Sequence, residues 1–246
     1  MQYVVASGAD SKYCQSFFPK PAFPYALSHQ LVDNNTVGTF GTLGLDEKTL
    51  WRRKHARAVF AQSNVRLSVP SMNEHTDALF RKILALPLEN GGPGRCCDMH
   101  HELLMLGLDS FGGSSLGGYA FNTLTGPDDS PGSVLMRDLP PLYEEVFMKG
   151  AMFWRPFLPL WASPGRSDAL QGVTTTCSVF RDIVKYGRTV APEKLRGTLL
   201  GAMLSMKDAG ATEAEVESEV NMYVIAGHET SACELLLGLA LSLIGF

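Results

Sequence analysis

The stretch from Val216 to Phe246 is largely apolar and contains the segment Ala226-Gly227-His228-Glu229-Thr230-Ser231. Thr212 followed three residues later by Glu215 is a capping box, which opens a helix at this point. Its apolar stripe reads Val216, Val220, Val224, then Gly227, Ser231 and Leu235. A helix of this composition needs packing partners along its length, so the other elements must be arranged around it.

The polar segment sets what that helix can do. Ala226 and Gly227 carry no bulk, so one face has a shallow groove where a flat ring and a small ligand can approach the backbone closely. Thr230 can donate its hydroxyl to the Ala226 carbonyl four residues earlier, which bends a helix and frees nearby backbone groups. Glu229 adds an acid to an otherwise apolar segment. A hydroxyl and a carboxylate beside a small-residue groove suit proton delivery where bulk water is excluded, as reduction of metal-bound dioxygen requires. The same spacing also fits a core helix with a polar kink, because Ser, Thr and Gly are common in packed helices.

The remaining chain is long enough to build a core around this helix: 246 residues, 45% apolar and 19% charged. A net charge of -4 with no long lysine or arginine block argues against an electrostatic footprint for nucleic acid. Cys14, Cys96, Cys97, Cys177 and Cys233 show no paired spacing, which argues for a reducing compartment and against a disulfide framework or zinc site.

Gln2 to Ala6 reads as a short strand and Asp10 to Phe17 as a short helix. Phe18 to Asp46, with Pro19, Pro21, Pro24, Gly38, Gly41 and Gly44, reads as an irregular, substrate-lining or lid-like loop. Helices are expected over Asp46 to Ala61, over Val69 to Leu86, after an Asp98 cap, around Leu142 to Gly150, from Ser167, and after Thr212. The glycines at 91–94 and from Gly112 to Gly126 mark irregular connections. No repeat or second boundary is visible, so residues 1–246 form a single domain, mainly α with a short strand (α+β).

Several segments carry a family resemblance. Ala226-Gly227-His228-Glu229-Thr230-Ser231 matches the Ala/Gly-Gly-x-Asp/Glu-Thr-Thr/Ser pattern of the cytochrome P450 central helix at every defined position. Asn221-Met222-Tyr223-Val224-Ile225 supplies its apolar lead-in. Upstream, Trp51-Arg52-Arg53-Lys54-His55-Ala56-Arg57-Ala58-Val59-Phe60, followed by Val69-Pro70, resembles the family's C helix, whose cations pair with a haem propionate. Anchored on Phe60, the register puts Arg53 at the propionate position; anchored on Trp51, it puts His55 there. Arg53 is favoured, and Arg52, Lys54 and Arg57 read as a solvated basic face. Asp98-Met99-His100-His101-Glu102-Leu103 with Leu108-Asp109 resembles the E helix. Phe121-Asn122-Thr123-Leu124-Thr125 with Ser130-Pro131 is similar to plant and algal carotenoid-hydroxylase members.

The resemblance runs from about strand 1 and the B helix through the central I helix. It implies a partial P450 fold and haem b, whose axial cysteine thiolate pushes electron density onto the iron to favour O–O cleavage. It further implies electrons from an NAD(P)H-dependent reductase or ferredoxin, and insertion of one oxygen atom of O2 into a small apolar, lipid or isoprenoid-like substrate. Thr230 and Glu229 would deliver protons, Ala226 and Gly227 form the oxygen groove, and Arg53 with Trp51, or His55, hold a propionate. Tyr223 and Ile225 would face substrate. The family suggests the endoplasmic-reticulum membrane or a plastid, with membrane association through an N-terminal segment outside these residues.

The family's axial-cysteine loop and Glu-x-x-Arg helix, both of which follow its central helix, do not occur after that helix in these 246 residues. Gly94-Arg95-Cys96-Cys97 lacks the opening Phe and the following Gly and precedes the central helix, so no metal ligand is assigned in this chain. Cys233 reads as packing. His228-Glu229 begins like a zinc-protease helix, but Ala232 stands where the second His must be. The expectation is a fragment of a haem-thiolate monooxygenase, inactive by itself. The alternative is a truncated, non-catalytic chain that acts at most as a binding module.

Overall fold

A computed structural model describes residues 47–87, 97–151 and 165–243. The expected strand, the short helix after it and the loop to Asp46 lie outside these residues, as does most of the Gly94–Cys97 turn. The described residues are mainly helical, with no strand among them.

Helix α1, Glu47–Arg57, runs on as a 3-10 turn over Ala58–Phe60. Helix α2, Gln62–Ala85, begins earlier than the expected Val69, and Pro70 lies inside it. An interior proline loses one backbone hydrogen bond and crowds the carbonyl four residues back, so Val69-Pro70 looked like a boundary. Leu86-Pro87 ends the helix as expected.

Helix α3, Met99–Ser115, is capped by Asp98, whose Oδ1 accepts from the His101 N–H at 3.2 Å. Gly112 and Gly113 lie inside α3, not in a loop: the following chain folds back against Gly112, and Ser71 and His75 of α2 lie against Gly113. A Cβ at Gly112 would sit 2.3 Å from the Tyr119 carbonyl oxygen. The buried Asp109 carboxylate fastens that return by accepting from the backbone N–H of Thr123 at 2.8 Å and of Leu124 at 2.9 Å.

Helix α4 spans Pro131–Ala151 and so starts well before the expected Leu142. Ser130 caps it, accepting from the Ser133 N–H at 3.2 Å, with Pro131 in the first turn where its missing N–H costs nothing. Pro140-Pro141 reads as a break but sits inside the helix. An interior proline costs about 3 kcal/mol. Leu135 and Leu139 are buried on the preceding turns, and each contributes about 1.5–3 kcal/mol, which offsets much of that cost.

Helix α5, Arg166–Thr189, matches the helix expected from Ser167. Two further helices, α6 (Pro192–Leu195) and α7 (Leu199–Asp208), were not anticipated from the sequence. Thr198 caps α7 by accepting from the Gly201 N–H at 3.1 Å. A Schellman turn closes it: Gly210 adopts φ 99°, and Ala211 N–H reaches the Met206 carbonyl at 2.9 Å.

Helix α8, Glu213–Leu243, opens with the expected capping box. Thr212 N–H donates to Glu215 Oε2 at 2.8 Å, and Glu215 N–H donates to Thr212 Oγ1 at 3.3 Å. It packs on α3, α5 and α7, while α4 lies along α5, α2 along α3, and α1 on α7. Leu108, Phe121, Leu135, Ile183, Met203 and Val220 form the centre of the main core. The buried stripe of α8 differs from the expected one: after Val224 it continues through His228 and Ala232, whereas Ser231 and Leu235 are exposed. The reason is α3, which crosses α8 on the His228 side.

Candidate functional site

The crossing of α3 and α8 is made by glycines on each side. A Cβ at Gly107 would lie 2.9 Å from the His228 carbonyl oxygen, and a Cβ at Gly227 would lie 2.6 Å from the Phe111 ring. Gly227 therefore serves close packing in addition to leaving space. On the open side of this crossing lies a cavity of about 400 Å³, walled by Phe60, Phe111, Leu199, Tyr223, Ala226 and Gly227.

Thr230 donates its hydroxyl to the Ala226 carbonyl at 2.6 Å, the back-bond read from the sequence. Ser231 makes the equivalent bond to the Gly227 carbonyl at 2.7 Å. The Thr230 and Glu229 side chains are exposed. Ile225 packs against the main core, away from the residues that wall this cavity.

Helix α1 presents different residues to different neighbours. Trp51 and His55 are half-buried with ring centroids 4.3 Å apart, and the His55 Nδ1–H donates to the Trp51 carbonyl at 3.0 Å. His55 lines a second, larger cavity of about 650 Å³ beside α7, which does not include Ala226 or Gly227. The Arg53 side chain is outside the described residues.

Arg52, read from the sequence as part of a solvated face, is instead 2% exposed. One guanidinium nitrogen donates to Glu219 at 3.0 Å and the other to Glu215 at 2.7 Å. Glu215 thus closes the capping box with one oxygen and holds α1 with the other. Two glutamates four apart on an apolar helix face were the available signal, since buried carboxylates need a cation or several donors.

His228 was also missed. It is 4% exposed, and its Nδ1–H donates to the Val224 carbonyl at 3.0 Å. Burial pushes its pKa below the ordinary histidine value, with the Val224 carbonyl and Glu229 opposing. The sign follows directly: above the unfolded value of about 6.5 the ring is neutral in both states and stability is unaffected. Below that pH the unfolded chain takes up a proton that folded His228 refuses. Stability is therefore expected to fall on acidification, by up to about 1.4 kcal/mol per pH unit until the depressed folded pKa is reached. Urea unfolding between pH 7.5 and 5 checks this, with His228→Leu expected to flatten the slope.

The Ala226–Gly227 wall and its apolar surroundings fit one face of a flat macrocycle such as haem. Among the described cysteines, Cys97, Cys177 and Cys233, none lines either cavity. The described residues thus offer a thin, largely apolar wall to such a ring, with no cysteine among the cavity lining.

No protein-family model matches the sequence, and no curated protein matches it. Among solved structures, 33 chains match. One is the haem domain of a cytochrome P450DA mutant, with a TM-score of 0.64 and 20% identity, covering 92% of this chain and 47% of that chain. This chain therefore spans about half the length of that haem domain. At such identity the likeness concerns the fold, and together with the helices described above it establishes a mainly α, partial cytochrome P450 fold.

Proposed function

We propose that the chain is part of a haem-thiolate monooxygenase that inserts one oxygen atom of O2 into an apolar, lipid or isoprenoid-like substrate. The observation that carries this reading is the Ala226–Gly227 wall of an apolar cavity, with the Thr230 hydroxyl on the Ala226 carbonyl, in the long helix of a P450-like fold. Haem, when bound, supplies the oxygen-activating chemistry. This chain's own residues shape the space and move protons. Ala226 and Gly227 keep the wall thin, the apolar lining excludes water, and Thr230 with Glu229 passes protons from solvent toward the groove.

Arg53 is assigned to a haem propionate. Support comes from Phe60, the anchor of that register, which lines the cavity with Ala226 and Gly227, whereas His55 lines the other one. Tyr223, in the cavity wall, contacts substrate in this reading. The electron donor is an NAD(P)H-dependent reductase or ferredoxin, and the location is the endoplasmic-reticulum membrane or a plastid.

The reduced, CO-bound difference spectrum of the chain extended by its native downstream sequence tests the proposal. A thiolate-type Soret band is expected, and its absence would sink the assignment. The 246-residue chain alone is expected to show no such band and no turnover. Stoichiometric haem with a thiolate spectrum from it would contradict that part.

A second reading, a non-catalytic chain that acts through binding, is favoured by one observation. The end of α8 exposes Leu235, Leu237, Leu239, Leu241 and Leu243, with Leu243 87% exposed. Transcript sequence past Phe246 separates the two. A Phe-x-x-Gly-x-Arg-x-Cys-x-Gly loop in frame supports the oxygenase, and a transcribed stop codon supports the binding chain.

A further inference from the structure

None of Phe60, Phe111, Leu199, Tyr223, Ala226 and Gly227, which wall the space for the ring, lines the larger cavity of about 650 Å³. That cavity lies between the last turn of α1, the end of α5 and one side of α7, where it meets His55, Gly187 and Ala202. Its volume falls within the roughly 300–1,000 Å³ of small-molecule sites. Helix α7 gives it a low wall of Gly201, Ala202 and Ser205, and Val59, Val190 and Leu204 supply apolar surface.

Charge sets this cavity apart. The protein as a whole carries a net charge of -4, yet the lining holds Arg188, Arg196 and Lys207 against one acid, Asp208. Arg188 and Lys207 donate to the same oxygen, Glu213 Oε2, the latter at 2.9 Å. These bonds, Lys207 foremost, hold the Glu213 carboxyl below the usual carboxylate range. Asp208 balances what charge is left at that end of α7. At the other end stands Arg196, which is exposed and forms no ion pair among the described residues. Asn64 lines the same end, its Oδ1 2.9 Å from where a Cβ on Gly197 would stand. The planar fork of a guanidinium takes two oxygens of a carboxylate or a phosphate. A phosphomonoester dianion fills that fork and presents a third oxygen toward Asn64, where a carboxylate has none left.

The geometry points to a second ligand site: the cavity between α1, α5 and α7 binds a small phosphomonoester, its phosphate on Arg196 and its organic body against Val59, Val190 and Leu204. This site is separate from the ring and its substrate. It requires neither haem nor oxygen, so it stands or falls independently of the function proposed above.

The test is calorimetric titration of the 246-residue chain in 0.15 M sodium chloride with phenyl phosphate, benzyl alcohol and inorganic phosphate, at about that ionic strength so that loose surface attraction is screened. Phenyl phosphate is expected to bind one saturable site at least about ten-fold more tightly than benzyl alcohol, the ratio that one charge-assisted contact supports. It is also expected to bind more tightly than inorganic phosphate, which lacks the body. Arg196→Glu is expected to remove the preference over benzyl alcohol, and Arg196→Lys to keep part of it. Arg81→Glu makes the same change of charge at an exposed position that lines neither cavity, and is expected to leave the titration unchanged. Ser205→Phe, an exposed change within the lining, is expected to weaken phenyl phosphate by narrowing the cavity. Ala226→Leu fills the other cavity and is expected not to alter this titration. Equal affinity for phenyl phosphate and benzyl alcohol, or an Arg196→Glu chain that keeps the preference, would overturn the inference. Inorganic phosphate binding as tightly as phenyl phosphate would overturn it too, by leaving the cavity no part, and so would loss of binding in Ala226→Leu. Binding to phosphatidic acid vesicles without uptake of phenyl phosphate would also overturn it, and would assign Arg196 to a lipid surface.

Discussion

Replacing Arg52 with methionine is expected to lower the stability of the fold by about 3–5 kcal/mol, the usual cost of removing one partner from a buried ion pair. The guanidinium reaches Glu219 with one nitrogen and Glu215 with the other, and all three side chains are nearly inaccessible to water. Lysine is expected to rescue little, because a single ammonium cannot span two carboxylates as a planar fork does. The more informative variant is Arg52→Met combined with Glu219→Leu. Glu215 keeps its capping-box bonds to Thr212, so removing Glu219 as well takes out much of the uncompensated charge. Apolar replacement of buried ion pairs is often close to neutral, so the double variant is expected to recover most of the loss. Urea unfolding followed by circular dichroism measures each step. A single Arg52→Met variant within about 0.5 kcal/mol of the parent, the range of ordinary surface substitutions, would show that the cluster does not hold α1 to α8.

The second large effect is expected at Gly107, where two opposed terms make the sign decisive. In an exposed helix interior, Gly to Ala stabilises by about 1 kcal/mol through backbone entropy and propensity. At this position the added Cβ would meet the backbone oxygen of His228 at 2.9 Å, and backbone cannot swing aside as a side chain can. Overpacking of this kind costs about 1–3 kcal/mol, so packing outweighs propensity and Gly107→Ala is expected to destabilise. Gly107→Val is expected to cost more, because its branched carbon must also fit the crossing. Gly227 is the contrasting case. Its Cβ would meet the Phe111 ring, a side chain bordering an open cavity, so Gly227→Ala is expected to be milder and to shift that ring. If Gly107→Ala raised the unfolding midpoint, the close approach of α3 and α8 would be wrong.

Both effects sit where the sequence could not be read. The cap of Asp98, the Thr212–Glu215 box and the stop at Leu86-Pro87 were legible because each is a bond or a steric block within three or four residues. The back-bond from Thr230 to Ala226 belongs to the same class. Helix α4 was cut short because Pro140-Pro141 opposes a helix locally, and only the burial of Leu135 and Leu139 carries the helix through. Helices α6 and α7 were not read at all. The α8 stripe was legible to Val224 and then misassigned, since nothing local says which face α3 will cover.

What the sequence determined by itself is the mainly helical class, the cap positions and the six-residue polar segment of α8 with its likeness to the P450 central helix. Those features rest on contacts that close within one helical turn. The tertiary structure alone decided that Arg52 is a buried cation paired with Glu219, 167 residues away, and that His228 is core. It also decided that His55 and Gly227 line different cavities, joined at Arg196. Such pairings are set by which helix faces meet when apolar area is buried, and the cost of leaving a charge unpaired there then selects the partner.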